Sequence, residues 1–444
     1  MAAHARSLRI ATATVLFFAL LVVSGGFLLA QDDPQRAGGG KEDPAKSCIE
    51  CHLRITPGAV KDWQASAHRG AGVGCDDCHG AEHQSPDDVV KLKTVTARTC
   101  GVCHEKQFEQ FSRGKHALSW ASMQAVPRID WRPSVITTGM KGCGGCHKIG
   151  LMTEAQIREA KEADSPFGFA SCDACHTRHT FAVTEAREPE ACATCHMGHD
   201  QSQWDMYKTS KHGIRHALKR LGALPESAAA PTCQDCHMPG GDHAVRTAWG
   251  YLGLRLNGLG PYPGEDKSWW RDRVTILKAL GLLDLKGEPT ERMEAAERIQ
   301  LMRTSTEDFD RERERMTAIC SQCHSENFAK SEMRKGDRLL REGDRLMAEA
   351  IRIVAALYED GVLRMPPDYK YPFPDLLMHM EAPTFIETRL FRMHLKHRMR
   401  AFKAAFHSNP EYAHWRGWTA LEEDLTELNT LAKELRRRHE ASKR

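Results

Sequence analysis

Aromatic side chains are scarce in this sequence, at 7% of the residues, and the mean hydropathy is −0.51. A chain of 444 residues has room for two or three domains, yet this one has little apolar material for conventional cores of that total size. An excess of one charge is also missing. The 62 Lys and Arg residues nearly balance 59 Asp and Glu, for a formal net charge of +3, with both signs mixed along the chain. That excludes the concentrated basic face a nucleic acid partner would need. Only one long apolar run occurs, Ile10 to Ala30, and no later segment is apolar enough to be a second membrane span. Finally, no cysteine stands alone.

What is present is a single motif, repeated. The sixteen cysteines form the pairs Cys48/Cys51, Cys75/Cys78, Cys100/Cys103, Cys143/Cys146, Cys172/Cys175, Cys192/Cys195, Cys233/Cys236 and Cys320/Cys323. Histidine follows every pair directly: His52, His79, His104, His147, His176, His196, His237 and His324. Disulfides and zinc sites also use paired cysteines, but neither requires a histidine after the second one in all eight cases. Two thiols spaced in this way bond the vinyl groups of one haem, and the histidine then lies beneath the iron. The motif count predicts eight covalently bound haem c groups, whose macrocycles supply the apolar volume that the side chains lack.

The N-terminus agrees with this chemistry. His4, Arg6 and Arg9 precede the apolar run, and QDDPQRAGGG follows it. Residues 1–30 read as an export signal cleaved near Ala30, or as an uncleaved membrane anchor. Covalent haem attachment takes place outside the cytoplasm, so a periplasmic or otherwise exported protein is expected. Residues 31–47 read as a flexible leader. A haem-rich domain with seven motifs follows at 48–245, in which the gaps between motifs run from 15 to 38 residues. Gaps this short leave no room for a separate protein core around each haem, so the haems must pack on one another. Residues 246–330 connect to the eighth motif, with an irregular GYLGLRLNGLGPYPGEDKSWW stretch and helical spacing in TILKALGLLDL and PTERMEAAERIQLMR. Residues 331–444 read as a helical domain. Leu339, Leu340, Leu346, Met347, Ile351 and Val354 share one stripe, PPDYKYPFP breaks the chain at 366–374, and further helices are expected near 384–406 and 418–440. The expected fold is mainly α: clustered haems, little β structure and a C-terminal helical bundle.

Twenty-three histidines exceed the eight motif residues, so counting alone does not reveal an iron without a second ligand. Local patterns say more. DWQASAHRG and QWDMYKTSKHG share a Trp followed by Ser-x-His, and FSRGKH is a looser relative. His68, His83, His116, His179, His212 and His243 are expected as distal ligands, each to a neighbouring haem, with His394 as a seventh. His216, His379, His397, His407 and His414 are left undecided, and His439 reads as a surface residue. Met197 and Met238 follow proximal histidines too closely to reach the far face of the same haem and are expected to pack.

With these motifs the chain resembles the octahaem hydroxylamine oxidoreductase family. The resemblance rests on the eight motifs and on CHTRH at 175–179, EARxPxACxTCHMG at 185–198, WxMYxxSKHG at 204–213, CQDCHMPGGDHAVRTAWGYLGLRL at 233–256 and AFHSNPEYAHWRGW at 405–418. It implies a homotrimer, seven bis-histidine haems that relay electrons, and one five-coordinate haem where chemistry occurs. By order in the chain that haem resembles the fourth, at Cys143, Cys146 and His147. Oxidative members also cross-link a tyrosine from an adjacent subunit to this haem, whereas reductive members lack the link; the matching residue is Tyr412. Many relatives carry Asp-His after CHMG. This chain has Asp200 and Gln201, with His199 ahead, and an amide cannot replace imidazole as a base. The resemblance thus implies an oxidoreductase that oxidises hydroxylamine or a related nitrogen compound such as hydrazine, with Asp200 and His199 taking protons and a cytochrome as electron partner. Two alternatives stand beside it: reduction of nitrite or hydroxylamine to ammonia, and an electron-transfer cytochrome with no substrate site. Octahaem tetrathionate reductases and pentahaem nitrite reductases use lysine beneath the active haem, which none of the eight motifs here does.

Overall fold

The computed structural model describes residues 44–124, 143–163, 167–256, 260–262, 264–365, 369, 371, 374–378 and 382–444. The expected signal or anchor at 1–30, the leader up to residue 43, His379 and most of the PPDYKYPFP break lie outside the described residues. Among those described, no helix is long and apolar enough to cross a membrane. The fold is almost entirely helical. No sheet forms among the described residues, and β pairing is confined to isolated bridges such as Arg255 with Arg303 and Leu283 with Pro289.

The N-terminal half is a succession of short helices set by the cysteine motifs. Helix α1, Pro44–Ile55, already carries the first motif. It therefore takes in the last residues of the expected leader, and a proline at a helix start forfeits no hydrogen bond. Helix α2, Pro57–Gln64, follows, and further on lie α3, Gln203–Lys208, and α4, Lys211–Arg220. The shared Ser-x-His pattern turns out to be a helix cap. Ser66 accepts from the Arg69 amide and Ser210 from the Gly213 amide, which places His68 and His212 alike at the second helical position.

The C-terminal half is a bundle. Helices α5, Lys267–Ala279, and α6, Thr306–Cys320, lead through the eighth motif into α7, Glu326–Glu359. Helix α8, Phe385–Arg392, passes through a π-helical turn, Met393–Arg398, into α9, Met399–Phe406. A second π-helical turn, Ala413–Trp418, opens α10, Thr419–Ser442. The apolar stripe of α7 is buried at Leu346, Met347, Ile351 and Val354 against Ile276 and Leu277 of α5 and Leu421, Leu425 and Leu428 of α10, and at Leu340 against Trp269, Met399 and Phe402. Each such side chain contributes about 1.5–3 kcal/mol on full burial.

A polar network pins this bundle to the segment that leaves the seventh motif. Arg398 and Asp344 form an ion pair at 2.6 Å with neither side chain exposed. Trp269 donates to the same carboxylate at 2.8 Å, and Arg398 also donates to the Leu252 carbonyl at 2.7 Å. Close packing fixes α9 as well: a Cβ on Gly417 would sit 2.5 Å from the Ala401 Cα. Helix α9 is therefore a rigid element, and it reaches the cavity described next.

Candidate haem centres and substrate site

Each cysteine motif closes a turn of helix. The histidine amide bonds to the carbonyl of the first cysteine in the third, fourth, fifth, sixth and eighth motifs, at 2.9–3.0 Å. Residues four apart share a helix face, so the proximal imidazole and the first thiol meet one macrocycle. All eight proximal histidines and fourteen of the sixteen cysteines line one connected cavity of 3960 Å³. That is about 500 Å³ for each motif, within the roughly 300–1,000 Å³ usual for one cofactor site.

Two cysteines stand apart from the other fourteen. Cys51 and Cys323 do not line the cavity, although their partners Cys48 and Cys320 and the adjacent His52 and His324 do. Cys51 is half-buried and Cys323 is exposed. Both are second cysteines, one position before the histidine, so they point about 100° round the helix from it. They also belong to the first and the last motif in the chain. Cys323 nonetheless lies close enough to Cys236 of the seventh motif to act on it. The spacing still assigns each to the second vinyl bond of its haem, at the open edge of the macrocycle.

The imidazoles give the sharper test of fit. Seven proximal histidines each face another histidine, with ring centroids at nearly one distance. His52 faces His83 at 6.3 Å, His79 faces His179 at 6.2 Å and His104 faces His68 at 6.0 Å. His176 faces His243 at 6.3 Å and His196 faces His116 at 6.1 Å. His237 faces His407 at 6.3 Å and His324 faces His212 at 6.2 Å. Metal–imidazole bonds of about 2 Å on both sides, plus the distance from each nitrogen to its ring centre, separate two centroids by about 6 Å. The residues fit haem iron.

Protonation agrees. Burial pulls His116, His196 and His407 down to about 4, so each is the neutral imidazole that a metal binds. Backbone carbonyls take the Nδ1 proton of His237 (Arg246, 3.1 Å), His243 (Gly241, 2.8 Å) and His407 (Lys403, 2.6 Å), which leaves Nε2 for iron.

Thiols of neighbouring motifs lie close enough to act on one another, and these contacts order the motifs. Cys48 adjoins Cys75, Cys78 adjoins Cys100, and Cys100 adjoins Cys172. Cys175 adjoins Cys192 and Cys195, Cys192 adjoins Cys233, and Cys236 adjoins Cys320. The run is thus one, two, three, five, six, seven, eight. The fourth motif branches from the sixth, where Cys146 adjoins Cys195. The stretch from Cys172 to Gly213 therefore contains the junction.

His147 differs from the other seven. Among the described residues no histidine faces it. Its Nδ1 donates to the Ser119 carbonyl at 2.8 Å, with the Ser119 and Ser122 hydroxyls each at 3.2 Å. Asp200 lies close enough to Cys146 to raise that thiol, and a compact polar group surrounds it. The Tyr251 hydroxyl donates to the Asp200 carboxylate, and the Lys403 ammonium donates to the Asp200 carbonyl and, at 3.2 Å, to the Gln201 amide oxygen. The ammonium also lies 4.4 Å from the centre of the Tyr251 ring. Burial, followed by the nearby carboxylate, pushes the Tyr251 phenol well above its usual range. Burial also pulls Lys403 down to about 7 while Asp200 opposes it.

The expected site residues divide three ways. His147, Asp200 and His199 line the cavity, His199 at its exposed edge. Six expected distal ligands, His68, His83, His116, His179, His212 and His243, each face a proximal histidine of another motif. His394 is fully buried and lines the cavity, but the histidine facing His237 is His407, because the last turn of α9 rather than the π-helical turn meets the seventh motif. Tyr412 is not brought to the cavity. It is buried with Met206, Ala404 and Ala413 of its own chain, its amide bonded to Asn409. Sequence reasoning missed Tyr251 and Lys403. A lone lysine within the apolar run AFKAAF was the available signal for the second, since a buried cation needs a partner.

Residues 71–246 and 295–366 match the family described as seven times multihaem cytochrome CxxCH. The chain belongs to this multihaem cytochrome c family. Residues 30–80 also match the cytochrome c554 and c-prime family. Among characterised relatives of this multihaem cytochrome is a probable nitrite reductase-hydroxylamine oxidoreductase fusion protein of Kuenenia stuttgartiensis, 26% identical over 78% of this chain and 42% of that one. The multihaem cytochrome MtrA of Shewanella baltica is 27% identical over 47% of this chain and 50% of that one. The chain thus spans half or less of the length of these relatives. Its fold matches the reducing HAO-like protein complex of K. stuttgartiensis with a TM-score of 0.61, over 90% of this chain and 86% of that one at 23% identity. A hypothetical multihaem protein matches with a TM-score of 0.63 at 20% identity, over 89% of this chain and 96% of that one. This multihaem cytochrome carries attachment motifs for eight haems and shares its fold with an HAO-like protein.

Proposed function

We propose that this multihaem cytochrome is exported and reduces a small nitrogen compound, nitrite or hydroxylamine, to ammonia at the fourth haem, with seven bis-histidine haems delivering the electrons. The observation that carries the proposal is the contrast between His147, which no described histidine faces, and the seven proximal histidines that are faced. Haem at this position would supply an iron with one place for the substrate nitrogen and a route for electrons from its neighbours.

The chain's own residues account for the rest. The Ser119 carbonyl holds the Nδ1 proton of His147 and so fixes the ring beneath the iron. Tyr251 and Asp200 share a proton on the cavity wall. Reduction of hydroxylamine to ammonium takes up two electrons and three protons, and reduction of nitrite takes up six electrons and eight protons. A buried phenol–carboxylate pair is suited to pass protons inward. The branch at the sixth motif lets electrons arrive from both arms of the run.

Direction follows from Tyr412. Oxidation, the expectation that the family resemblance favours, depends in that family on a tyrosine linked to the haem of an adjacent subunit. A tyrosine buried in its own chain is not presented to a neighbour, which supports reduction. The name of the reducing complex that shares this fold points the same way. A trimer, a cytochrome donor, and a cleaved or anchoring N-terminus complete the proposal. Reduced methyl viologen supplied to the holoprotein tests it. Nitrite or hydroxylamine should be consumed with formation of ammonium, and dye oxidation by neither substrate would refute the enzyme reading in favour of a pure electron carrier.

A further inference from the structure

Gln201 stands where many relatives of this resemblance carry histidine, and its hydrogen bonds are polarised from one end. The polarity starts at His196. If Nε2 is given to iron, the proton must be on Nδ1, so Nδ1 donates. Its partner, at 3.3 Å, is therefore the Gln203 amide oxygen. The other end of that amide, the NH2 group, donates to the Gln201 oxygen at 2.8 Å. The Lys403 ammonium, which can only donate, reaches the same oxygen at 3.2 Å. Turning the Gln201 amide over would set its NH2 group against two donors. Turning Gln203 over would set its NH2 group against the His196 proton. One orientation satisfies all three contacts.

Lys403 itself cannot swing away. It is buried, its ammonium lies over the Tyr251 ring and bonds the Asp200 carbonyl, and its own carbonyl holds His407. The oxygen of Gln201 is thus engaged twice, and the NH2 group is the end left for the cavity that Gln201 lines.

Resting on the open-iron reading above, we propose that Gln201 meets the substrate as a hydrogen-bond donor, locked by Gln203 and Lys403, and that the site selects a small nitrogen oxyanion whose oxygens accept. Nitrite has two acceptor oxygens and no proton to give. Hydroxylamine offers one neutral acceptor oxygen, where nitrite offers two that carry negative charge, and its three N–H and O–H donors gain nothing from this NH2 group. Gln201 is a binding residue; Gln203 and Lys403 are positioning residues.

Spectral titration of the oxidised holoprotein with nitrite tests the assignment in wild type, Gln201→Leu and Gln203→Leu. Carbon monoxide binding to the reduced protein reports independently on the open iron. Both variants should bind carbon monoxide as wild type does and bind nitrite about tenfold more weakly, the loss expected for one hydrogen bond to a charged ligand. Nitrite affinity within about twofold of wild type in either variant, with carbon monoxide still bound, overturns the donor lock alone. If wild type binds no carbon monoxide, the open-iron reading falls and this proposal falls with it.

Discussion

Replacing His407 with glycine should convert the seventh haem into a second ligand-accepting centre. The His407 ring lies 6.3 Å from that of His237, centre to centre, and its Nδ1 is held by the Lys403 carbonyl at 2.6 Å. Its imidazole is neutral because burial pulls it down to about 4. Orientation, distance and protonation therefore all suit a single role. His394, also fully buried, lines the same cavity from the π-helical turn of the helix that ends in α9, and the ring that faces His237 is that of His407. The proposed ligand assignment carries a stoichiometry. Wild type should bind one carbon monoxide per chain when reduced, His407→Gly two, and His394→Gly one. The gap left by the deleted ring has the shape of imidazole, so added imidazole should return His407→Gly to one. One carbon monoxide bound by His407→Gly without imidazole, or two by His394→Gly, would refute this ligand assignment.

Further outcomes follow from the packing. Asp344→Ala leaves the Arg398 guanidinium and the Trp269 indole N–H buried without their acceptor, and should cost about 3–5 kcal/mol in denaturant unfolding, most of it recovered when Arg398→Met is added. In Gly114→Ala the new Cβ would stand 2.3 Å from the Ala244 carbonyl oxygen. The shift should cost about 1–3 kcal/mol and move the low-spin signals of the fifth and sixth haems, because His243 and His116 flank the contact. Mass spectrometry of the haem peptide containing Cys143 and Cys146 should find no attached peptide. A tryptic fragment carrying Tyr412 there would contradict both its burial and the reductive direction.

Chemistry confined to a few adjacent residues was legible in the sequence. The eight motifs needed only spacing, and the Ser-x-His pattern of His68 and His212 reflects a helix cap that is itself local. The long C-terminal helices were legible too, since the stripe on α7 repeats at helical spacing and is the face that the fold buries. Partnership between distant residues was not. His212 meets His324 and His116 meets His196 across chain lengths that no local pattern encodes. His407 ends an ordinary-looking helix, and only the close approach of α9 to the seventh motif distinguishes it from His394. Lys403 and Tyr251 escaped for the same reason, as each depends on how the bundle meets the loop after the sixth motif. Spacing also makes all sixteen cysteines equivalent, whereas the fold leaves Cys51 and Cys323 outside the cavity wall, because only the fold determines which motif covers which. Tyr412 shows the converse: a motif match suggested a role at an adjacent subunit's haem, and within its own chain the residue packs with Met206, Ala404 and Ala413.

The central claim is that one iron of eight is open, and low-temperature electron paramagnetic resonance of the oxidised holoprotein tests it most directly, with spin quantitation against total haem. One high-spin ferric centre per chain, lost on adding cyanide and still present in His394→Gly, is the predicted result. Eight low-spin centres, unchanged by cyanide, would contradict it.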